Sequence, residues 1–143
     1  MTYDLIIRNA LITTSESEAL GSVGIQNGKF VKIGVVEDNG RSEIDAKGLT
    51  LIPGVIDTQV HFREPGLEHK EDLESGTRSA ILGGVTSIFE MPNTNPTTTT
   101  AEALRDKLGR AAGRAWCDFS FFVGGSKENV KALFELEMLP GSP

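Results

Sequence analysis

The sequence predicts an α/β chain, with a β-rich opening followed by strand–helix units built on a parallel sheet. Three observations carry this. Near residue 52 the pattern changes from short apolar runs broken by turns to a repeating order of apolar run, polar loop and amphipathic stretch. That order recurs through three units before residue 143. Upstream of residue 52, an Asn-Gly pair between two apolar runs gives the short-range signal of a hairpin.

In the opening part, residues 1–51, Leu5, Ile7 and Leu11 set against Ile6, Arg8 and Asn9 give a first strand. Val23-Gly24-Ile25 and Phe30-Val31-Lys32-Ile33 flank Gln26-Asn27-Gly28-Lys29, where Asn-Gly supplies the positive φ angles of a type I′ turn. Glu37 to Arg41 reads as a polar loop and Ala46-Lys47-Gly48 as a second turn. The result is a small open sheet that cannot bury both of its faces alone.

Residues 52–143 form the second part. Leu51-Ile52-Pro53-Gly54-Val55-Ile56 has the branched character of a short buried strand, punctuated near its start by Pro-Gly. A helix is expected from about Lys70 to Leu82, with Leu73, Thr77, Ala80 and Ile81 inward and Gly83-Gly84 as its C-cap. Val85 to Met91 is the second strand. Thr99 with Glu102 makes a capping box for a helix that turns Leu104, Leu108 and Ala111 to the core. Cys117 to Val123 is the third strand, with Trp116 and Cys117 packed around it, and Gly124-Gly125 turns out of it. Ser126 can cap a third helix containing Val130, Leu133 and Phe134.

Composition excludes several classes. At 38% hydrophobic and 24% charged the chain is neither disordered nor membranous. A net charge of −6 argues against a nucleic-acid partner, which calls for a basic face. No apolar run approaches the ~20 residues of a membrane span. No basic stretch precedes an apolar one at the N-terminus, and the single cysteine, Cys117, cannot form an internal disulfide. A cytoplasmic protein is the expectation.

The chemistry concentrates in Asp57-Thr58-Gln59-Val60-His61-Phe62-Arg63-Glu64-Pro65-Gly66. Asp57, Gln59, His61 and Arg63 share one parity, so an extended chain would project all four to one side. A second segment, Met91-Pro92-Asn93-Thr94-Asn95-Pro96, follows about 30 residues later at the end of an apolar strand. Blander readings exist for each residue. Asp57 suits a group that orients a ligand, His69 lies among charges at a helix start, Arg63 could pair with Glu64 or Asp57, and Asn93 could form a simple Asx turn.

These two segments resemble the first-strand and second-strand motifs of the cyclic amidohydrolases, and most closely those of dihydroorotases. There the first motif reads Asp-x-His-x-His-x-Arg-Glu-Pro-Gly. This chain departs from it at Gln59, where the first histidine would stand, and a neutral amide oxygen is a much poorer zinc ligand than imidazole. The resemblance implies a (β/α)₈ barrel preceded by part of a small β-sandwich. It implies one or two zinc ions, with His61 as a ligand and Gln59 in the other ligand position. Arg63 and Asn93 would bind a substrate carboxylate. A barrel takes eight strands and roughly 250 residues, so the chain is expected to be the N-terminal part of an enzyme of about 400 residues. The bridging lysine and the general base would then fall beyond Pro143, leaving no catalytic base within these residues and no activity in this piece alone. The implied reaction is reversible hydrolysis of dihydroorotate to N-carbamoyl-L-aspartate. An allantoinase or hydantoinase is an alternative, as is an inactive partner of aspartate transcarbamoylase. A homo-oligomer is expected of the full protein.

Overall fold

The computed structural model describes residues 2–143. The chain divides into two compact units, one ending at Pro53 and one running Gly54–Pro143.

The first unit is a single sheet of β1 (Tyr3–Thr13), β2 (Glu18–Gln26), β3 (Lys29–Gly34), β4 (Gly40–Asp45) and β5 (Thr50–Leu51). Its order is β3-β2-β1-β4, with β5 also on β1. β1, β2 and β3 run antiparallel, while β4 and β5 pair with β1 in parallel. Asn27 and Gly28 take φ of 51° and 70°, the paired positive values of a type I′ turn. Tyr3, Ile6 and Val36 form its buried cluster. Leu20, Phe30, Ile33 and Ile44 on the strands and Val35 just after β3 stay exposed, as expected of a small open sheet.

Arg8 ties this unit together. Its guanidinium donates to both Glu43 carboxylate oxygens at 2.7 Å and to the carbonyls of Val36 and Asp38 at 2.9 Å. The Arg8 hydrogen bonds, helped by the Gly40 amide, hold the Glu43 carboxyl down at about 2. Its stabilising effect is therefore complete above the ordinary carboxylate range and is lost as pH falls through about 2. Replacing Arg8 with Met should return the Glu43 titration toward its usual range. Carboxyl ¹³C shifts measured against pH read this directly, and an unmoved Glu43 would show that Arg8 does not set it.

The second unit contains β6 (Val55–Val60), α1 (Leu73–Leu82), β7 (Val85–Glu90), α2 (Ala101–Ala111), β8 (Asp118–Phe121) and α3 (Leu133–Glu137). β6, β7 and β8 make a parallel sheet in that order. Val60, Phe62, Leu73, Ile88, Leu104, Ala111, Phe121 and Val123 form its core, joining sheet and helices. Asp72 caps α1 by accepting from the Ser75 N–H at 2.7 Å. Leu73 and Thr77 turn inward and Gly84, at φ 90°, ends the helix. Among the described residues no helix is long and apolar enough to cross a membrane.

Six expectations need correction. The run Leu51–Ile56 is not one buried strand: Leu51 closes β5 in the first sheet, residues 52–54 break the chain, and Val55 opens β6. Val55 and Ile56 are exposed, and among the described residues β6 pairs with β7 alone, which leaves its outer edge open. The first helix starts at Leu73, three residues after Lys70, because Asp72 supplies the cap. Thr100, not Thr99, caps α2, its extended backbone letting the hydroxyl accept from the Ala103 N–H at 3.1 Å.

The third helix is short. Asn129 donates to the carbonyls of Thr99 and Gly124 at 2.7 and 2.8 Å and accepts from the Ser126 N–H at 2.7 Å. This fixes a run of turns, so helix begins only at Leu133 and leaves Val130 and Phe134 exposed. The third strand shrinks to Asp118–Phe121, and Trp116 lies outside the core, exposed beneath the Arg78 guanidinium at 5.9 Å.

Candidate active site

β6 and β7 end side by side. Val60 and Glu90 are paired, and the Met91 N–H donates to the Val60 carbonyl at 3.0 Å. The segments that follow, 61–66 and 91–96, therefore leave the sheet together at the carboxyl ends of parallel strands, where α/β folds place their ligands.

His61 Nδ1 lies 2.8 Å from Asn93 Oδ1, so residues 32 positions apart meet across the two segments. With an amide oxygen facing it, Nδ1 carries the proton and donates. That leaves the Nε2 lone pair free, the arrangement found where histidine ligates a metal. Phe62, on the opposite parity, is buried against Gly76 of α1, where any Cβ would strike the ring. Strand alternation thus sends Phe62 into the core and His61 outward.

The alternation does not extend to Arg63. Its φ is 66°, in the left-handed region, where a side chain costs roughly 1–2 kcal/mol. The ladder also shifts register between Asp57 and Val60. Asp57, Gln59, His61 and Arg63 therefore do not project as one row, because the extended backbone ends at Val60. Gln59 is exposed on β6, and its N–H donates to Asp57 Oδ1 at 3.0 Å.

Glu64 is not the partner of Arg63. Its buried carboxylate accepts from Arg114 at 2.8 and 3.2 Å and from the Leu73 N–H at 3.0 Å. Glu64 thereby fastens the segment to the start of α1 and to the end of α2. Among the described residues the Arg63 guanidinium makes no hydrogen bond or ion pair. Gly66, at φ 87°, lies against the Asn95 carbonyl, and the Asn95 N–H donates to the Pro65 carbonyl at 3.0 Å.

Beneath these segments sits a pair that sequence reading missed. Glu90 and Lys107 are both fully buried, with Nζ 2.9 Å from Oε2. Lys107 also donates to the Met91 carbonyl at 3.2 Å and lies 5.3 Å from the centre of the Phe121 ring. Apart from the ion pair, neither Glu90 oxygen completes a hydrogen bond, while the Phe62 and Arg63 amides face the carboxylate. Burial pushes the Glu90 carboxyl up and the Lys107 ammonium down, each opposed by the other's charge. The signal in the sequence was a lysine within the inward stripe of Leu104, Leu108 and Ala111.

Among the described residues no three histidine, cysteine or acidic side chains cluster closely enough to hold a metal. The donor chemistry present fits in part. His61 offers a free imidazole nitrogen, whereas Gln59 offers only a neutral amide oxygen.

A parallel βα sheet with polar side chains gathered at its strand ends defines the class, that of α/β folds whose sites lie at the carboxyl ends of their strands. The chain belongs to the amidohydrolase family, whose model matches residues 50–136. It is 35% identical over 138 residues to an allantoinase of Salmonella choleraesuis (strain SC-B67), covering 96% of this chain and 30% of that protein. Its structure matches an L-hydantoinase from Arthrobacter aurescens with TM-score 0.88 and 30% identity, over 94% of this chain and 31% of that one. A D-hydantoinase from a Bacillus sp. AR9 matches with TM-score 0.79 and 32% identity, over 93% and 30%. The chain thus spans about 30% of the length of these relatives and has the fold of the N-terminal part of their barrels. The relatives named here are allantoinase and hydantoinases, so the cyclic amidohydrolase grouping stands while the narrower dihydroorotase resemblance is not carried by them.

Proposed function

We propose that the full-length protein is a metal-dependent hydrolase of a cyclic amide whose ring carries a carboxylate, of the dihydroorotate type, yielding N-carbamoyl-L-aspartate reversibly. The observation that carries this reading is the Arg63 guanidinium. It is left without a protein partner, on a backbone that disfavours any side chain, beside the His61–Asn93 contact. A free guanidinium there suits a bidentate anion.

His61 would hold a divalent ion through Nε2, with Gln59 at most a weak contributor and further ligands supplied from outside these residues. When bound, such an ion lowers the pKa of water and polarises the ring carbonyl. Asn93 fixes the His61 tautomer with its oxygen, and its NH₂ remains available to donate to the substrate carboxylate. Arg63 takes the same carboxylate and so orients the ring. A second reading, hydrolysis of a neutral ring such as allantoin or a hydantoin, is supported by the names of the relatives.

Turnover of dihydroorotate, allantoin and hydantoin by the full-length, metal-loaded protein separates them. Arg63→Lys keeps the charge and loses the planar fork. It should lower dihydroorotate turnover at least tenfold, about 1.4 kcal/mol, and leave neutral rings nearly unaffected. Equal losses on both would make Arg63 structural. Turnover of neutral rings alone would establish the second reading, and turnover of none would favour the inactive-partner alternative, in which the full protein supports aspartate transcarbamoylase. In the same preparations His61→Ala should lower bound divalent metal, and an unchanged content would remove His61 from the metal site.

A further inference from the structure

We propose that Glu90, with Lys107 as its buried counter-ion, is a positioning residue that holds the His61–Arg63 segment, and above all the left-handed backbone of Arg63, in its working shape. This rests on the reading of Arg63 as the anion-binding group. A buried ion pair is weak evidence for stability, since apolar residues of similar size often serve a core as well. Its placement points to another role.

Glu90 closes β7 at the level where β6 and β8 also close, being paired with Val60 and with Phe121. The amides of Phe62 and Arg63, two and three residues beyond its strand partner Val60, favour its charged form, although neither carboxylate oxygen completes a hydrogen bond with them. Lys107 reaches up from α2 and takes the Met91 carbonyl, two residues before Asn93. One pair therefore supports both segments that meet at His61 and Asn93. A non-glycine residue stays in the left-handed region only when its surroundings over-determine it. For Arg63 the carbonyl side is held by the Leu67 N–H at 3.1 Å. On the amide side the charged group that acts on it is the Glu90 carboxylate, short of a complete hydrogen bond.

The test uses the full-length protein carrying Glu90→Met together with Lys107→Met, which removes both charges and keeps the volume. Two quantities are read: amide hydrogen exchange in the peptide spanning residues 60–64, and kcat and KM for dihydroorotate and for a neutral hydantoin. A folded double variant should exchange those amides at least about tenfold faster. It should lose at least about tenfold in kcat/KM on dihydroorotate, mainly through KM, and lose less on the neutral hydantoin, which does not call on the Arg63 guanidinium. Wild-type exchange and wild-type KM in a folded double variant would overturn the proposal. Should the double variant not fold, Glu90→Asp keeps the charge and draws the acceptor back by one methylene. Faster exchange in it supports the proposal, and unchanged exchange overturns it. If the wild type turns over no carboxylate-bearing ring, the anion reading of Arg63 fails by itself, and the exchange measurement still decides the role of Glu90.

Discussion

Lys107→Met alone should destabilise the second unit by about 3–5 kcal/mol, because it leaves the Glu90 carboxylate buried without its cation. Lys107 is fully buried, so no solvent can replace its ammonium without opening the core. The Met91 carbonyl would lose its donor as well. The sign of the pH dependence follows from the upward shift of Glu90. A carboxyl raised in the folded state contributes stability below its unfolded pKa, and that contribution is lost as pH rises through the folded value. Without Lys107 the upward shift grows, so the defect should shrink on acidification, when Glu90 can be buried neutral. Denaturant unfolding of the full-length variant between neutral and mildly acidic pH measures this. A loss below about 1 kcal/mol at neutral pH, or a defect that deepens in acid, would refute the buried-charge account.

Gly66→Ala should cost roughly 2–5 kcal/mol and weaken the site at the same time. Two effects add. The backbone at φ 87° disfavours any side chain by about 1–2 kcal/mol. The new methyl would also meet the Asn95 carbonyl oxygen well inside van der Waals contact, and backbone yields less readily than a side-chain tip. Such overpacking typically costs about 1–3 kcal/mol more. Relief requires the segment that carries Asn93 to move away from the segment that carries His61, which breaks their 2.8 Å contact. Unfolding and metal affinity, measured together, should both fall. A variant as stable as the parent would show that the two segments are not packed as a unit.

Much of the architecture was legible because it follows from local chemistry. The Asn27-Gly28 turn is specified by its own two residues, and the strand–helix alternation after residue 54 by apolar periodicity. His61 and Asn93 could be singled out as candidates from their motifs, and the two side chains do meet. What could not be read depends on long-range partners. The handover from β5 to β6 within Leu51–Ile56 is set by which sheet each half joins, and both halves are equally apolar. The late start of α3 depends on Asn129 reaching back to Thr99, 30 residues earlier. Arg63 has no local feature that announces a positive φ, and the extended parity applied to it therefore failed. Glu90 and Lys107, 17 positions apart, each look like an ordinary surface charge until the fold buries them against one another.

The left-handed backbone at Arg63 has a further consequence for how this sequence can change over generations. Glycine or asparagine at that position would relax the chain and remove the guanidinium in one step. On the proposed reading of Arg63 as an anion-binding group, mutational pressure toward greater stability and selection for an anionic substrate pull this residue in opposite directions. A lineage relieved of that substrate would be expected to shed the arginine early, gaining robustness as it does so. Retention of arginine on so unfavourable a backbone is what continued use would look like.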